Sequence, residues 1–123
     1  MGQNNDISLK EKAATWQRWQ QELVRPYRIY LQLERGLSPN TLDAYMHDLD
    51  KLLSFLAAEG VEPLQMTIGH LHAFAAGLYD IGLDARSQSR ILSGARSFCK
   101  FLLMTGRTDN DPSELMVSPK IGV

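Results

Sequence analysis

Arg86, Arg90, Ser93, Ser97 and Lys100 follow one another at intervals of four, three, four and three residues. That spacing returns to one side of an α-helix, so in a helical segment three cations and two hydroxyls share a face. Ser87 and Ser89 add hydroxyl donors near the start of the same stretch. From Ala85 to Thr108 there is no acidic residue, while Arg86, Arg90, Arg96, Lys100 and Arg107 contribute five positive charges. Cations and hydroxyls aligned beside a helix N-terminus suit phosphate oxygens. An arginine placed there can also fork onto a guanine edge in a major groove. The competing reading of the same pattern is an ordinary solvated face.

A second stretch, "RGLSPNTLDAYMHDL" at residues 35–49, raises the same chemistry from a different composition. Ser38 followed by Pro39 is a helix start, with a hydroxyl to cap the first N–H groups and a proline where no N–H is missed. The first turn then shows Asn40, Thr41 and Ala44, small residues that let a sugar-phosphate backbone come close to the free N–H groups. Asp43 and Asp48 oppose that reading, since like charge repels phosphate, and they are expected to point away.

Other chemistries find little support. His70 and His72 are two apart, so on a helix they face different sides, and His47 is distant in sequence. The only cysteine is Cys99, which excludes an intrachain disulfide and a zinc template and fits a reducing cytosol. Its setting, "RSFCKFL", predicts a buried thiol acting as a small hydrophobe. Asp43, Asp48 and Asp50 could be drawn as a metal site or a carboxylate pair, but outer-face carboxylates are expected simply to be solvated. No phosphate loop, nucleophile elbow or HExxH occurs. No catalytic residue, metal ligand or cofactor is assigned.

The elements that must position these residues are helical almost throughout the 123 residues. Leu9, Ala13, Trp16, Trp19, Leu23, Tyr27, Tyr30 and Leu31 give residues 8–35 a period near 3.6, with a break or kink expected near Arg25 because of Pro26. A second helix is expected over 39–59, with Leu42, Tyr45, Leu49, Leu52, Leu53 and Leu56 inward and Gly60 at its end. Thr67 caps a third, with Leu71, Phe74, Ala75 and Leu78 inward and a stop near Gly82. The fourth starts around Asp84–Arg86 and runs to about Met104, burying Ile91, Leu92, Ala95, Phe98, Cys99, Leu102 and Leu103, with Gly106 closing it. "NDPSELM" reads as a last short turn and "VSPKIGV" as a linker. The expected fold is all-α, a small four-helix bundle with an extra N-terminal helical segment. Its divisions are residues 1–23 for the extension, 24–116 for the bundle and 117–123 for the linker start. Tyr27, Tyr30, Tyr45 and Tyr79 all sit at core spacing. A net charge of −1 gives no global sign of nucleic acid or membrane, and no apolar run approaches the roughly 18–20 residues of a membrane span. The N-terminus has neither a signal-peptide core nor a myristoylation site. The expected location is the cytoplasm.

In this order and spacing, two pieces of sequence match a known family. "L-S-P-N-T-L-x-A-Y-x-x-D-L" and the later "D-P-S-x-L-x-x-S-P-K" resemble the N-terminal core-binding, SAM-like domain of tyrosine recombinases and phage integrases, most closely the Xer type. The resemblance covers about residues 24–121. It implies a role in DNA recombination or integration, as half of a C-shaped clamp on double-stranded DNA whose second and fourth helices enter adjacent stretches of major groove. Carried over by position, Asn40, Thr41, Ala44 and His47 would face DNA from the second helix. Arg86, Ser87, Arg90, Ser93 and Arg96 would do so from the fourth, and Lys100 continues that stripe. The family's tyrosine nucleophile and its helpers belong to a C-terminal catalytic domain, so this chain alone is not expected to be an enzyme. The implied partners are DNA, that catalytic domain, and neighbouring protomers met through the first and last helices. The isolated domain is expected to be a monomer with weak affinity.

Two other functions compete. The same faces, with Trp16 and Trp19 as anchors, would serve a helical protein-interaction module. A metal-dependent hydrolase on Asp43, Asp48 and Asp50 would require metal binding that shifts the melting temperature.

Overall fold

Proline and glycine punctuate this chain, and helices fill the intervals. The structure, a computed structural model, describes residues 2–116. In order it contains α1 (Gly2–Trp19), a π-helical turn (Gln20–Val24), α2 (Arg25–Leu33), α3 (Pro39–Glu59), a 3₁₀ turn (Pro63–Gln65), α4 (Ile68–Asp80) and α5 (Ala85–Met104). No strand occurs among the described residues. The fold is all-α, as expected; α1, the π turn and α2 together form the first of the four expected helical stretches. The chain divides into two compact units, Met1–Met46 and His47–Val123, with the boundary inside α3.

In the first unit, Pro26 does not break the helix where a kink was expected. The backbone widens just before it instead: Arg25 N–H reaches back to Gln20 O, a π-type bond, and α2 continues from there with proline in its first turn. A proline ring clashes with the carbonyl four residues earlier in a regular α-helix, and the wider turn relieves that clash. The same widening keeps Trp19, Leu23, Tyr27 and Leu31, each four apart, buried together. Leu9, which starts the sequence stripe, is 64% exposed.

In the second unit the apolar stripes close as their spacing requires. Leu49, Leu52, Leu53 and Leu56 of α3, Leu71, Phe74 and Leu78 of α4, and Ile91, Leu92, Ala95, Phe98, Cys99 and Leu102 of α5 are all buried. Phe55 and Phe74 bring α3 and α4 together with ring centroids 5.5 Å apart. Gly60 and Gly106 end α3 and α5 at φ 71° and 73°. In this left-handed region only glycine avoids a Cβ clash, and it lets Val61 and Arg107 N–H reach back to Leu56 O and Leu102 O at 2.9 Å each.

Further along the chain, other assignments of side chains to the core change as well. Leu103, expected inward, is 41% exposed, and Phe101 is buried in its place. Helical periodicity does not account for Phe101. The chain after Gly106 folds back and sets the Arg107 guanidinium 5.2 Å from the Phe101 ring centroid, a cation–π contact. Tyr79 is 72% exposed, because it lies one residue beyond Leu78 and so about 100° round α4 from the buried side. The expected turn at Pro112 is present, with Ser113 N–H and Oγ both bonded to Asp111 Oδ1, at 2.8 and 2.6 Å. The proposed linker, residues 117–123, lies outside the described residues.

Candidate nucleic-acid interface

The α5 face begins with its cap. Asp84 has extended backbone, and its Oδ1 accepts from Ser87 N–H at 2.7 Å. This bond to Ser87 N–H, then the Ser87 side chain, then the charges of Arg86 and Arg90 hold the Asp84 carboxyl below its ordinary 3.8. The helix N-terminus offered above to a phosphate is therefore already served by an anion of the protein's own. A depressed folded value means that the cap stabilises the fold fully above pH 3.8, and that this contribution is lost as pH falls through the lower folded value. Asp84→Asn, which keeps an acceptor but cannot be protonated, is expected to flatten that part of the acid-unfolding curve. Circular dichroism between neutral pH and strong acid measures it, and identical curves for both proteins would refute this role for the cap.

Beyond the cap, Arg86, Ser93 and Lys100 are exposed, and Ser87 is half-buried. They lie opposite the buried Ile91–Ala95–Phe98–Leu102 side, and no acidic residue interrupts α5. Arg96 sits on the flank between the two faces. It is half-buried, its Nη2 donates to the Met116 carbonyl, and its Nε has no hydrogen-bond partner. This guanidinium is used to hold the end of the terminal turn against α5.

Arg90 is different again. Its side chain is 59% exposed, yet its Nε and Nη2 donate to Asp48 Oδ2 and Oδ1, at 3.1 and 3.2 Å. Asp48 itself is only 5% exposed. The expectation that Asp48 is a solvated outer-face carboxylate is thus corrected. It lies at the edge of the α3 apolar stripe, and Gly94 of α5 leaves ordinary space beside it, since an added Cβ would stand 4.0 Å from Asp48 Cβ. Arg90 reaches across from α5, and its two hydrogen bonds cover the carboxylate. No local sequence signal marks this pairing, because Asp48 and Arg90 stand 42 positions apart.

At the start of α3 the geometry is simpler. Thr41 N–H donates to Ser38 Oγ at 3.3 Å, and Ser38 Oγ–H donates to Thr41 Oγ1 at 3.0 Å. The cap is formed as expected. Asn40, Thr41, Ala44 and His47 are all exposed, and the steps of four and three from Asn40 to Ala44 to His47 keep them on one side of the helix. Asp43 is also exposed, with Arg28 Nη2 3.6 Å from its carboxylate.

The remaining candidate groups have structural tasks. His70 completes a capping box: Thr67 N–H donates to its Nδ1 at 2.9 Å while Thr67 Oγ1 accepts from His70 N–H. Burial, reinforced by the negative charge of Asp111, pushes the Cys99 thiol up to about 12, leaving it an unreactive core group. Among the described residues no three His, Cys, Asp or Glu side chains gather to hold a metal, and no helix is long and apolar enough to cross a membrane. Trp19 is 2% exposed and packs on Trp16 at 6.1 Å, so it belongs to the core and offers no anchor to a partner.

This all-helical arrangement, with its capped helix start at Ser38, can be set beside known proteins. Residues 24–106 match the family profile described as phage integrase, N-terminal SAM-like domain. The chain belongs to that family. Curated relatives include proteins named as tyrosine recombinases. It is 36% identical over 105 residues to tyrosine recombinase XerC of Chlorobaculum parvum, covering 80% of this chain and 31% of that protein. It is 40% identical over 92 residues to tyrosine recombinase XerD of Chlorobaculum tepidum, covering 75% and 30%. With tyrosine recombinase XerD of Proteus mirabilis the identity is 42% over 99 residues, covering 80% and 32%. The chain thus spans about a third of the length of the relatives it matches. No solved structure gives a significant match.

Proposed function

We propose that this SAM-like domain binds double-stranded DNA as the N-terminal part of a tyrosine recombinase. The observation that carries the reading is the α5 face, where Arg86, Ser93 and Lys100 stand exposed on a helix without one acidic residue. Membership of the integrase family, and the tyrosine recombinases among its relatives, point the same way. In this reading Arg86, Ser87, Arg90, Ser93 and Lys100 meet DNA from α5, and Asn40, Thr41, Ala44 and His47 meet it from α3. Arg96, half-buried and bonded to Met116, is the weakest member of the set. Cleavage and rejoining are left to a C-terminal catalytic domain, and neighbouring protomers on DNA are the further partners. Residues 24–116 are the DNA-binding domain, with 1–23 an extension and 117–123 the start of the linker.

An NMR titration of the labelled chain with a short duplex, at low and moderate salt, tests this. Shifts are expected to cluster at residues 38–47 and 86–97 and to fade as salt rises, because each phosphate contact releases counterions with a slope of roughly 0.9 in log K per log salt. Arg86→Ala, which leaves the core untouched, is expected to weaken binding by about 1–3 kcal/mol if it loses a base contact. Absent shifts, or unchanged binding by the Arg86→Ala variant, would refute the assignment.

A further inference from the structure

Asp48 is the only buried carboxylate among the described residues, and it bonds to Arg90, whose exposed side chain belongs to the proposed DNA surface. Its two oxygens take one edge of the Arg90 guanidinium, Nε and Nη2, at 3.1 and 3.2 Å. The group is planar, so its other edge, Nη1 with the second hydrogen of Nη2, lies on the side away from Asp48. More than half of the Arg90 side chain is exposed. An unheld arginine loses much rotamer freedom when it binds; one already fixed at two points loses less. Resting on the DNA-binding reading above, we infer that Asp48 is a positioning residue for DNA recognition. It grips one edge of Arg90 and presents the other as a preset fork to a pair of acceptors on DNA.

Electrostatics makes this distinguishable from a charge effect. Asp48 cancels the charge of Arg90, leaving long-range attraction to phosphate with Arg86 and Lys100. On charge alone, neutralising Asp48 should tighten DNA binding. The positioning role predicts the reverse. An asparagine at 48 offers one acceptor and sets a donor against the other guanidinium N–H, so the fork is released.

The test is a fluorescence anisotropy titration of the whole chain with a short fluorescein-labelled duplex of mixed sequence, at low and moderate salt, with a thermal melt for every variant. Asp48→Asn is expected to weaken binding by roughly tenfold, the scale of one arginine fork. Arg90→Ala should weaken it as much, and the double variant no more than either single one. Arg90→Lys keeps the charge without the planar fork, is free of any change at the buried position, and is expected to lose affinity similarly. Binding by Asp48→Asn as tight as wild type or tighter, or full affinity in Arg90→Lys, overturns the inference; if Asp48→Asn does not fold, Arg90→Lys decides. Loss of affinity in Arg86→Ala alone would overturn the positioning role while leaving the DNA reading standing. A wild-type chain without salt-sensitive binding would overturn both.

Discussion

Phe98→Ala is expected to destabilise the protein by about 3–5 kcal/mol, the range for an aromatic removed from a closed core. Phe98 is 0% exposed, on the α5 stripe between Ala95 and Leu102. Truncation removes both the transfer energy of the ring and its contacts with the walls of the space left behind. Helices already pinned by capped ends and glycine turns relax into such a space only partly. Total stabilities of domains this size are about 5–15 kcal/mol, so a large share of the folding free energy depends on this ring. The melting temperature should fall by roughly 10–25 °C. Leu49→Ala, on the α3 stripe at 5% exposure, is expected to cost about 2–5 kcal/mol by the same mechanism. Chemical denaturation with a shared m-value measures both. A loss under about 1 kcal/mol at either site would mean that its side chain does not face a packed core.

The second large effect concerns Arg90. Its exposed position on α5 suggests a substitution that touches DNA binding alone, but Arg90→Ala is expected also to destabilise the fold. Truncation uncovers Asp48, whose carboxylate is 5% exposed and would lose two hydrogen bonds. Breaking a fully buried ion pair from one side costs about 3–5 kcal/mol. Here the arginine side chain is 59% exposed, so water and salt screen the pair and can reach the abandoned carboxylate. The expected cost is therefore smaller, about 1–3 kcal/mol. Arg90→Ala combined with Asp48→Asn should recover part of the loss, since a neutral amide is cheaper to enclose than an unpaired charge. A double-mutant cycle measures the coupling, and strict additivity would show that the pair contributes nothing to stability. Arg86→Ala is consequently the cleaner probe of the DNA face.

By itself the sequence determined the helices and their ends. Ser38–Pro39, Thr67 and Asp84 start three of them, and Gly60, Gly82 and Gly106 stop the same three, because capping and left-handed backbone are local properties of a few adjacent residues. The buried stripes at Leu49–Leu56, Leu71–Leu78 and Ile91–Leu102 followed from period, as did the exposed face of Arg86, Ser93 and Lys100, whereas the exposure of Leu9 and Leu103 did not. What tertiary structure decided lies where two distant segments meet. The cover over the Asp48 carboxylate depends on Arg90, 42 positions later, the tether on Arg96 depends on Met116, and the cover over Phe101 depends on the chain folding back to Arg107. Residues on the flank of a helix, about a quarter-turn from the centre of its buried face, receive no instruction from periodicity. Whether Asp48, Arg96 or Leu103 is enclosed or wet depends on how closely the facing helix or loop approaches.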